Sequence, residues 1–370
     1  MGAHLTKGEE VMGLTDFSTL ALSISATFIA TLGTALLWKK IFKKGFTNLA
    51  LRLLLIILCQ VLALVSVGLA VNRSNGFFET WSDLFGTGTN YSSVAVGNTQ
   101  LPLLSAQELT KATPLASGAV MVNDVIKGAS SGVSNSVYLY LPKQVVKNLK
   151  SKKTIHPEKF RVVEFLTGFP SQPVMWFKVM KIDKELARYN AAHPTSQVIG
   201  VFPQVNVAGN YDLECMNLPN GKPKAESWLA RDMHTYLTKR TGVVKAQWSI
   251  MGLSTGGWCA AMLSMKHPDL FDKAVSIAGY YRPALPLTDP IALQNWAKVH
   301  YDLKQYESKL QAPLKLYLVA SLGDKYSIKE TRKFLALSHP LLSIKYREIA
   351  SGGHNPHVWV PSIKPALDWL

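Results

Sequence analysis

Gly252-Leu253-Ser254-Thr255-Gly256 lies between a short apolar run, Trp248 to Met251, and a helix-compatible stretch, Gly257 to Lys266. Glycines on both sides of a serine at a strand-to-helix junction permit a turn so tight that the serine backbone is strained and its hydroxyl stands clear. The chemistry open to such a hydroxyl is attack on an acyl carbon, with the amide of Thr255 at the helix N-terminus offered to the developing oxyanion. The same pentapeptide also describes an ordinary Gly-rich turn, so its partners decide the matter.

A serine hydroxyl is a poor nucleophile at neutral pH and requires a base, which in turn requires an acid to orient it. Asp324 fits the acid, because Ser321-Leu322-Gly323-Asp324 directly follows an apolar strand ending at Ala320. His354 fits the base, because it follows Ser351-Gly352-Gly353 after a strand ending near Ile349. Ser, acid and His then occur in the chain order of the strand–Gly-x-Ser-x-Gly–helix enzymes. Asp289, Asp302 and Glu330 are alternative carboxylates, and His300 and His357 alternative imidazoles. Asp302 and Glu330 fall in expected helices, Asp289 in a Pro-flanked loop, and His357 reads as a surface or pocket-lining residue.

A second oxyanion donor belongs on the loop after an earlier strand. Val162 to Leu166 runs into Thr167-Gly168-Phe169-Pro170, and the Phe169 amide is the candidate, since Pro170 has none to give. Trp176 and Trp258 follow the two oxyanion elements and are candidates for shaping a substrate pocket, with core packing as the competing reading.

These residues need a scaffold that delivers them to one edge. Val137 to Leu141, Arg161 to Leu166, Val198 to Phe202, Lys273 to Ala278, Leu314 to Ala320 and Ser343 to Ile349 read as strands. Trp176 to Ala192, Ala225 to Lys239, Ser327 to Leu337 and the C-terminal segment read as helices. Repeated βα units imply an α/β three-layer fold around a mainly parallel sheet, with the site at the C-terminal strand ends. Residues 117–370 form this domain; 81–116, rich in Gly, Ser, Thr and Asn, read as a linker or lead-in. The loops from Asn206 to Pro223 and from Tyr280 to Asn295 are expected to contribute to the cleft.

Residues 1–80 are of another kind. Two apolar segments, 17–38 and 53–71, are free of Asp, Glu, Lys and Arg and read as two transmembrane helices. Basic residues follow the first segment rather than precede it, which argues against a cleaved signal peptide. Lys39, Lys40, Lys43, Lys44 and Arg52 between the spans are expected to stay in the cytoplasm, leaving both termini outside. Trp38, Phe77, Phe78 and Trp81 flank the spans where interfacial aromatics belong. The formal charge of +16 suits contact with anionic lipid headgroups or envelope polymers, whereas scattered lysines without a binding module exclude nucleic acid. Cys59 lies in the second span; Cys215 and Cys259 are the candidates for a bridge or, alternatively, two buried thiols. Asp212 and Glu214 lack His or Cys at ligand spacing and read as loop-structuring, so neither metal nor organic cofactor is expected.

The motifs together resemble the Putative esterase family of α/β-hydrolases, in particular membrane-anchored actinobacterial members related to the mycolyltransferases. The resemblance rests on Leu166 to Pro170, Asp212-Leu213-Glu214-Cys215, Gly252 to Cys259, His267-Pro268-Asp269-Leu270-Phe271, and Gly352-Gly353-His354-Asn355 with Trp359. It implies Ser254 as nucleophile, His354 as base, Asp324 as acid, Phe169 and Thr255 as oxyanion donors, and a pairing of Cys215 with Cys259. In mycolyltransferases an Asp and an Arg flank the oxyanion loop; this chain has Thr167 and Pro170, which lack the groups that grip a sugar acceptor.

The resulting expectation is a membrane-anchored, outward-facing serine esterase that hydrolyses carboxylic esters or acyl lipids through an acyl-enzyme. The alternatives are an acyltransferase that passes the acyl group to an envelope sugar or lipid alcohol, and a non-catalytic surface protein on a hydrolase scaffold.

Overall fold

In the computed structural model the chain divides into two compact units, Met1–Asn90 and Tyr91–Leu370. The structure describes residues 13–14, 16–41, 46–75, 81–84, 101–209, 211–219, 221–244, 247–337 and 339–370. Lys43, Lys44, Phe77, Phe78 and the 85–100 part of the expected lead-in lie outside the described residues.

The first unit holds helices α1 (Phe17–Ile41) and α2 (Phe46–Asn75). Their apolar stretches, Phe17–Lys39 and Thr47–Arg73, have mean hydropathies of 1.9 and 2.8 and are long enough to cross a bilayer. Hydroxyls that hydrocarbon could not satisfy are satisfied internally. Thr27 and Thr31 donate to carbonyls one turn back, and the Thr27 hydroxyl also meets that of Ser66, 3.0 Å away on α2.

The second unit is built on nine strands: β1 (Thr113–Pro114), β2 (Val120–Lys127), β3 (Ser134–Leu141), β4 (Phe160–Leu166), β5 (Gln197–Pro203), β6 (Gln247–Leu253), β7 (Phe271–Ile277), β8 (Leu314–Ser321) and β9 (Leu342–Ile349). They form one sheet in the order β1-β2-β3-β5-β4-β6-β7-β8-β9. The β1–β2, β2–β3 and β3–β5 pairs are antiparallel, and from β5 to β9 the pairing is parallel. The parallel strands β4 to β8 are buried along most of their length because helices cover both of their faces. Leu229, Met233, Leu237 and the helix Thr255–Lys266 pack on one face. Ile182, Leu186, Ile363 and Leu367, on helices Ile182–Ala192 and Pro356–Trp369, pack on the other. The result is the three-layer arrangement of an α/β-hydrolase.

Two local details differ from the sequence expectations. The helix expected over Trp176 to Ala192 is two pieces, Met175–Lys178 and Ile182–Ala192, separated where Lys181 takes a φ of 53°. From Leu101 on, the stretch read as a lead-in is packed. Leu104 and Leu109 are buried in the core, and Arg240 reaches across to donate to the Pro102 carbonyl at 2.7 Å and to Glu108 at 2.7 Å. The local signal is the Ser105–Glu108 capping box that starts the helix Ala106–Lys111; the contact that fixes the segment to the domain comes from 138 residues away.

Candidate active site

Ser254 follows β6 directly and caps the helix Thr255–Lys266 with φ 57° and ψ −122°. A non-glycine residue in that region is strained, and the surroundings hold it there. Its amide donates to the Ile277 carbonyl at 2.9 Å, and its carbonyl accepts from Trp258 at 3.1 Å. A Cβ on Gly252 would overlap the Gly256 carbonyl, and one on Gly256 would overlap the Leu166 carbonyl. Both glycines are therefore dictated by close approach of backbone.

The histidine and aspartate arrive from neighbouring strand ends. His354, beyond β9, places Nε2 2.7 Å from the Ser254 hydroxyl. Its Nδ1 is 2.5 Å from Asp324 Oδ2, beyond β8. A carboxylate only accepts, so Nδ1 carries the hydrogen and Nε2 is left to accept from Ser254. Asp324 is nearly buried and its other oxygen accepts from the Ser327 amide at 3.2 Å, which fixes its plane. The imidazole packs edge-on against Trp359, with 4.8 Å between centroids, and remains 43% exposed. One feature was not legible in the sequence: the Ser321 hydroxyl donates to the Gly352 carbonyl and ties the Asp324 loop to the His354 loop.

The other candidates are engaged elsewhere. Asp289 accepts from the Tyr211 hydroxyl at 2.6 Å, and Glu330 pairs with Arg282 and Lys333 at 3.1 and 2.9 Å. Asp302, expected inside a helix, sits just past the end of Ile291–Tyr301 and accepts from the Lys304 amide. His300 makes a 2.7 Å contact to the Trp296 carbonyl, and His357 is exposed on the first turn of Pro356–Trp369.

The segments that carry the two amides named for the oxyanion both adjoin the serine. Thr255 opens its helix, where first-turn amides have no intrahelical acceptor. Gly168 abuts the nucleophile, since a Cβ there would stand 2.9 Å from Ser254 Cβ. Phe169 comes next, Pro170 has no N–H, and the Ser171 amide is spent on the Gly168 carbonyl at 2.9 Å.

Behind this edge lies a buried acidic knot. Cys215 and Cys259 form a disulfide with Cα atoms 5.8 Å apart, joining the 212–215 loop to the helix that begins at Thr255. Trp258 donates its indole N–H to the Glu214 carbonyl at 3.0 Å. Trp258 and Trp176 are both fully buried, Trp258 stacked on Tyr280 and Trp176 edge-on to Phe165. They are core residues rather than pocket walls, which corrects that expectation: proximity in sequence to a site element does not decide which way a large apolar side chain turns. Among the described residues no group of three or more His, Cys, Asp or Glu is arranged to hold a metal ion.

Comparison with known proteins places this geometry in context. The family model described as Putative esterase matches residues 128–370. An uncharacterized protein of Corynebacterium glutamicum is 21% identical over 223 residues, 56% of this chain; the chain spans about half of that relative, 52% of its length. Among solved structures, an S-formylglutathione hydrolase from Agrobacterium tumefaciens superposes with a TM-score of 0.56 at 15% identity, covering 69% of this chain and 95% of that one. A ferulic acid esterase gives 0.53 at 18% identity, covering 68% and 96%. These two likenesses show the fold, and the family model spans most of the chain. The chain therefore belongs to the Putative esterase family and has the α/β-hydrolase fold.

Proposed function

We propose that this protein is a membrane-anchored serine esterase whose hydrolase unit faces outward and cleaves carboxylic esters through an acyl-enzyme. The observation that carries the reading is the continuous relay Ser254 Oγ–His354 Nε2, His354 Nδ1–Asp324 Oδ2, at 2.7 and 2.5 Å.

In this reading Ser254 attacks the ester carbonyl as its proton passes to His354 Nε2, and the Asp324 carboxylate stabilises the imidazolium. The oxyanion accepts hydrogen bonds from the Thr255 and Phe169 amides. Collapse expels the alcohol, which takes the proton from Nε2. Water then repeats the attack, giving up its proton to Nε2, and collapse passes that proton to Ser254 Oγ as the acid leaves. The half-open imidazole favours water as acceptor, as does the absence of charged groups at Thr167 and Pro170.

Orientation rests on Lys39, Lys40, Lys43 and Lys44 between the two spans, which favour a cytoplasmic loop and outward termini. The bridged cysteines are in keeping with an oxidising compartment, and the excess of positive charge suits anionic lipid or envelope polymer nearby.

The test is covalent labelling of the full chain with a fluorophosphonate probe, together with turnover of a p-nitrophenyl ester with and without sugar acceptors. Labelling and turnover are expected in the wild type and absent from Ser254→Ala. Labelling that survives Ser254→Ala would sink the assignment, and acyl-sugar in excess of free acid would make the protein an acyltransferase.

A further inference from the structure

Asp212 and Glu214 have no part in the relay, yet Glu214 is buried and Asp212 half-buried beside it. The Asp212 carboxylate Oδ2 is 3.4 Å from the Thr255 hydroxyl, and its Oδ1 accepts from the Glu214 amide at 2.8 Å. Tyr280 bridges the pair to the same threonine, with its hydroxyl 2.6 Å from Glu214 Oε1 and 3.3 Å from Thr255 Oγ1. Glu214 Oε2 accepts from the Ala284 amide at 3.3 Å. Glu214 and Cys215 both take positive φ, 52° and 56°, so the loop is bent sharply toward the helix to which the disulfide and the Trp258 indole bind it. Strained backbone and buried carboxylates are costly, and both converge on Thr255, which follows the nucleophile and opens its helix.

We infer that Asp212, Glu214 and Tyr280 are positioning residues for acyl transfer, acting by holding the Thr255 side chain so that its amide stays aimed at the oxyanion. The inference rests on the esterase reading and deepens it.

The hydrogen-bond directions follow from one shared proton. Burial, and for Glu214 the neighbouring Asp212 charge, push both carboxyls up, Glu214 further than Asp212. The Tyr280 hydroxyl donates to Glu214 Oε1 and the Thr255 hydroxyl to Asp212 Oδ2; with a proton on Glu214 the carboxyl donates to Tyr280 instead and frees the Tyr280 proton for Thr255. When Glu214 ionises, Tyr280 turns its only proton to Glu214 and the threonine loses its donor.

The other titratable groups that interact with Glu214 are Tyr211 on its own loop and Tyr326 on the helix Lys325–Leu335; Arg282, on the segment after β7, acts on Tyr326. Burial raises Tyr211, Tyr280 and Tyr326, so the carboxyl pair titrates first. The facing helix presents Thr255, Trp258 and the bridged Cys259.

The experiment measures kcat, KM and pH profiles of the full chain with a p-nitrophenyl ester, beside fluorophosphonate labelling of Ser254. Asp212→Asn and Thr255→Val are expected to lower kcat about tenfold with KM within about twofold, as for a misaimed oxyanion donor. Thr255→Ser, which restores the hydroxyl, recovers most of that loss. A histidine base gives a limb on the acid side; the wild type is expected to show a second, descending limb on the alkaline side, absent from Glu214→Gln and Tyr280→Phe. Labelling runs to completion in every variant, because the Ser254–His354 relay is intact. Wild-type kcat in both Asp212→Asn and Thr255→Val overturns the inference, as does a kcat that falls only in step with the labelled fraction. If the wild type is not labelled at Ser254, the esterase reading fails and takes the inference with it.

Discussion

Ser321 donates its hydroxyl to the carbonyl of Gly352 at 2.5 Å, closing the gap between the end of β8 and the loop after β9. The same oxygen accepts from the Gly323 amide at 3.3 Å, and a Cβ on Gly323 would run into the Gly352 carbonyl. The spacing between Asp324 and His354 is thus held by their supporting backbones as well as by their own hydrogen bond.

Ser321→Ala removes that brace and leaves the Gly352 carbonyl without its donor. A lost buried hydrogen bond costs about 1–2 kcal/mol, which denaturant unfolding reads directly. A drop in kcat of about 10-fold with little change in KM is expected, since a loosened base misorients only the reacting atoms. An unchanged kcat alongside the stability loss would show that the brace serves folding alone.

Gly168→Ala probes the other side of the nucleophile. Its Cβ would stand 2.9 Å from Ser254 Cβ and 3.1 Å from the Leu253 carbonyl, so the 167–171 loop must move and carry the Phe169 amide with it. Activity is expected to fall by about 10²-fold, the cost of losing one oxyanion donor. Melting should shift only a few degrees, because the loop lies beyond the last paired residue of β4, Leu166, outside the strand ladder. Wild-type turnover would remove Phe169 from the proposed machinery.

The Arg240 cluster makes a prediction about acid stability. Arg240 is 1% exposed and binds Asp124 at 2.8 Å and Glu108 at 2.7 Å. Partial burial pushes the Glu108 carboxyl up, but hydrogen bonds from Arg240 and Ser105 outweigh it and bring the group down from 4.5 to about 2. A depressed carboxyl stabilises the fold above its unfolded value, and that contribution is lost as pH falls from about 4.5 through 2. Because the Glu108 side chain is 43% exposed, solvent screening limits the effect to about 1 kcal/mol. The melting difference between wild type and Glu108→Gln should therefore be present at pH 7 and vanish near pH 2; a difference independent of pH would contradict the assigned ion pair.

The parts of this molecule readable from sequence are those where a local rule leaves one option. Gly252 and Gly256 are needed wherever backbone passes against backbone, so the turn announces Ser254. Asp324 follows an apolar strand and His354 an alternating one, and a parallel sheet collects all strand C-termini along one edge. What escaped reading depends on distant partners. Ser321 looks like any loop serine until Gly352 is beside it, and residues 101–111, their capping box apart, look like tether until Arg240 is seen to hold them. Trp176 and Trp258 mislead for the opposite reason: a large aromatic suits a pocket and a core equally, and only packing decides. The 120–127 strand lies on the antiparallel side of the sheet, where its half-exposed pattern, with Asn123 and Asp124 in mid-strand, hides it from a search for apolar runs.

The Cys215–Cys259 bond has a practical corollary for anyone producing the protein. Bacterial cytosol keeps thiols reduced, so material purified from it would contain a 212–215 segment held by hydrogen bonds alone, and low specific activity in such a batch would reflect the host rather than the enzyme. Secretion, or refolding under a glutathione couple, is the appropriate starting point for every assay described above.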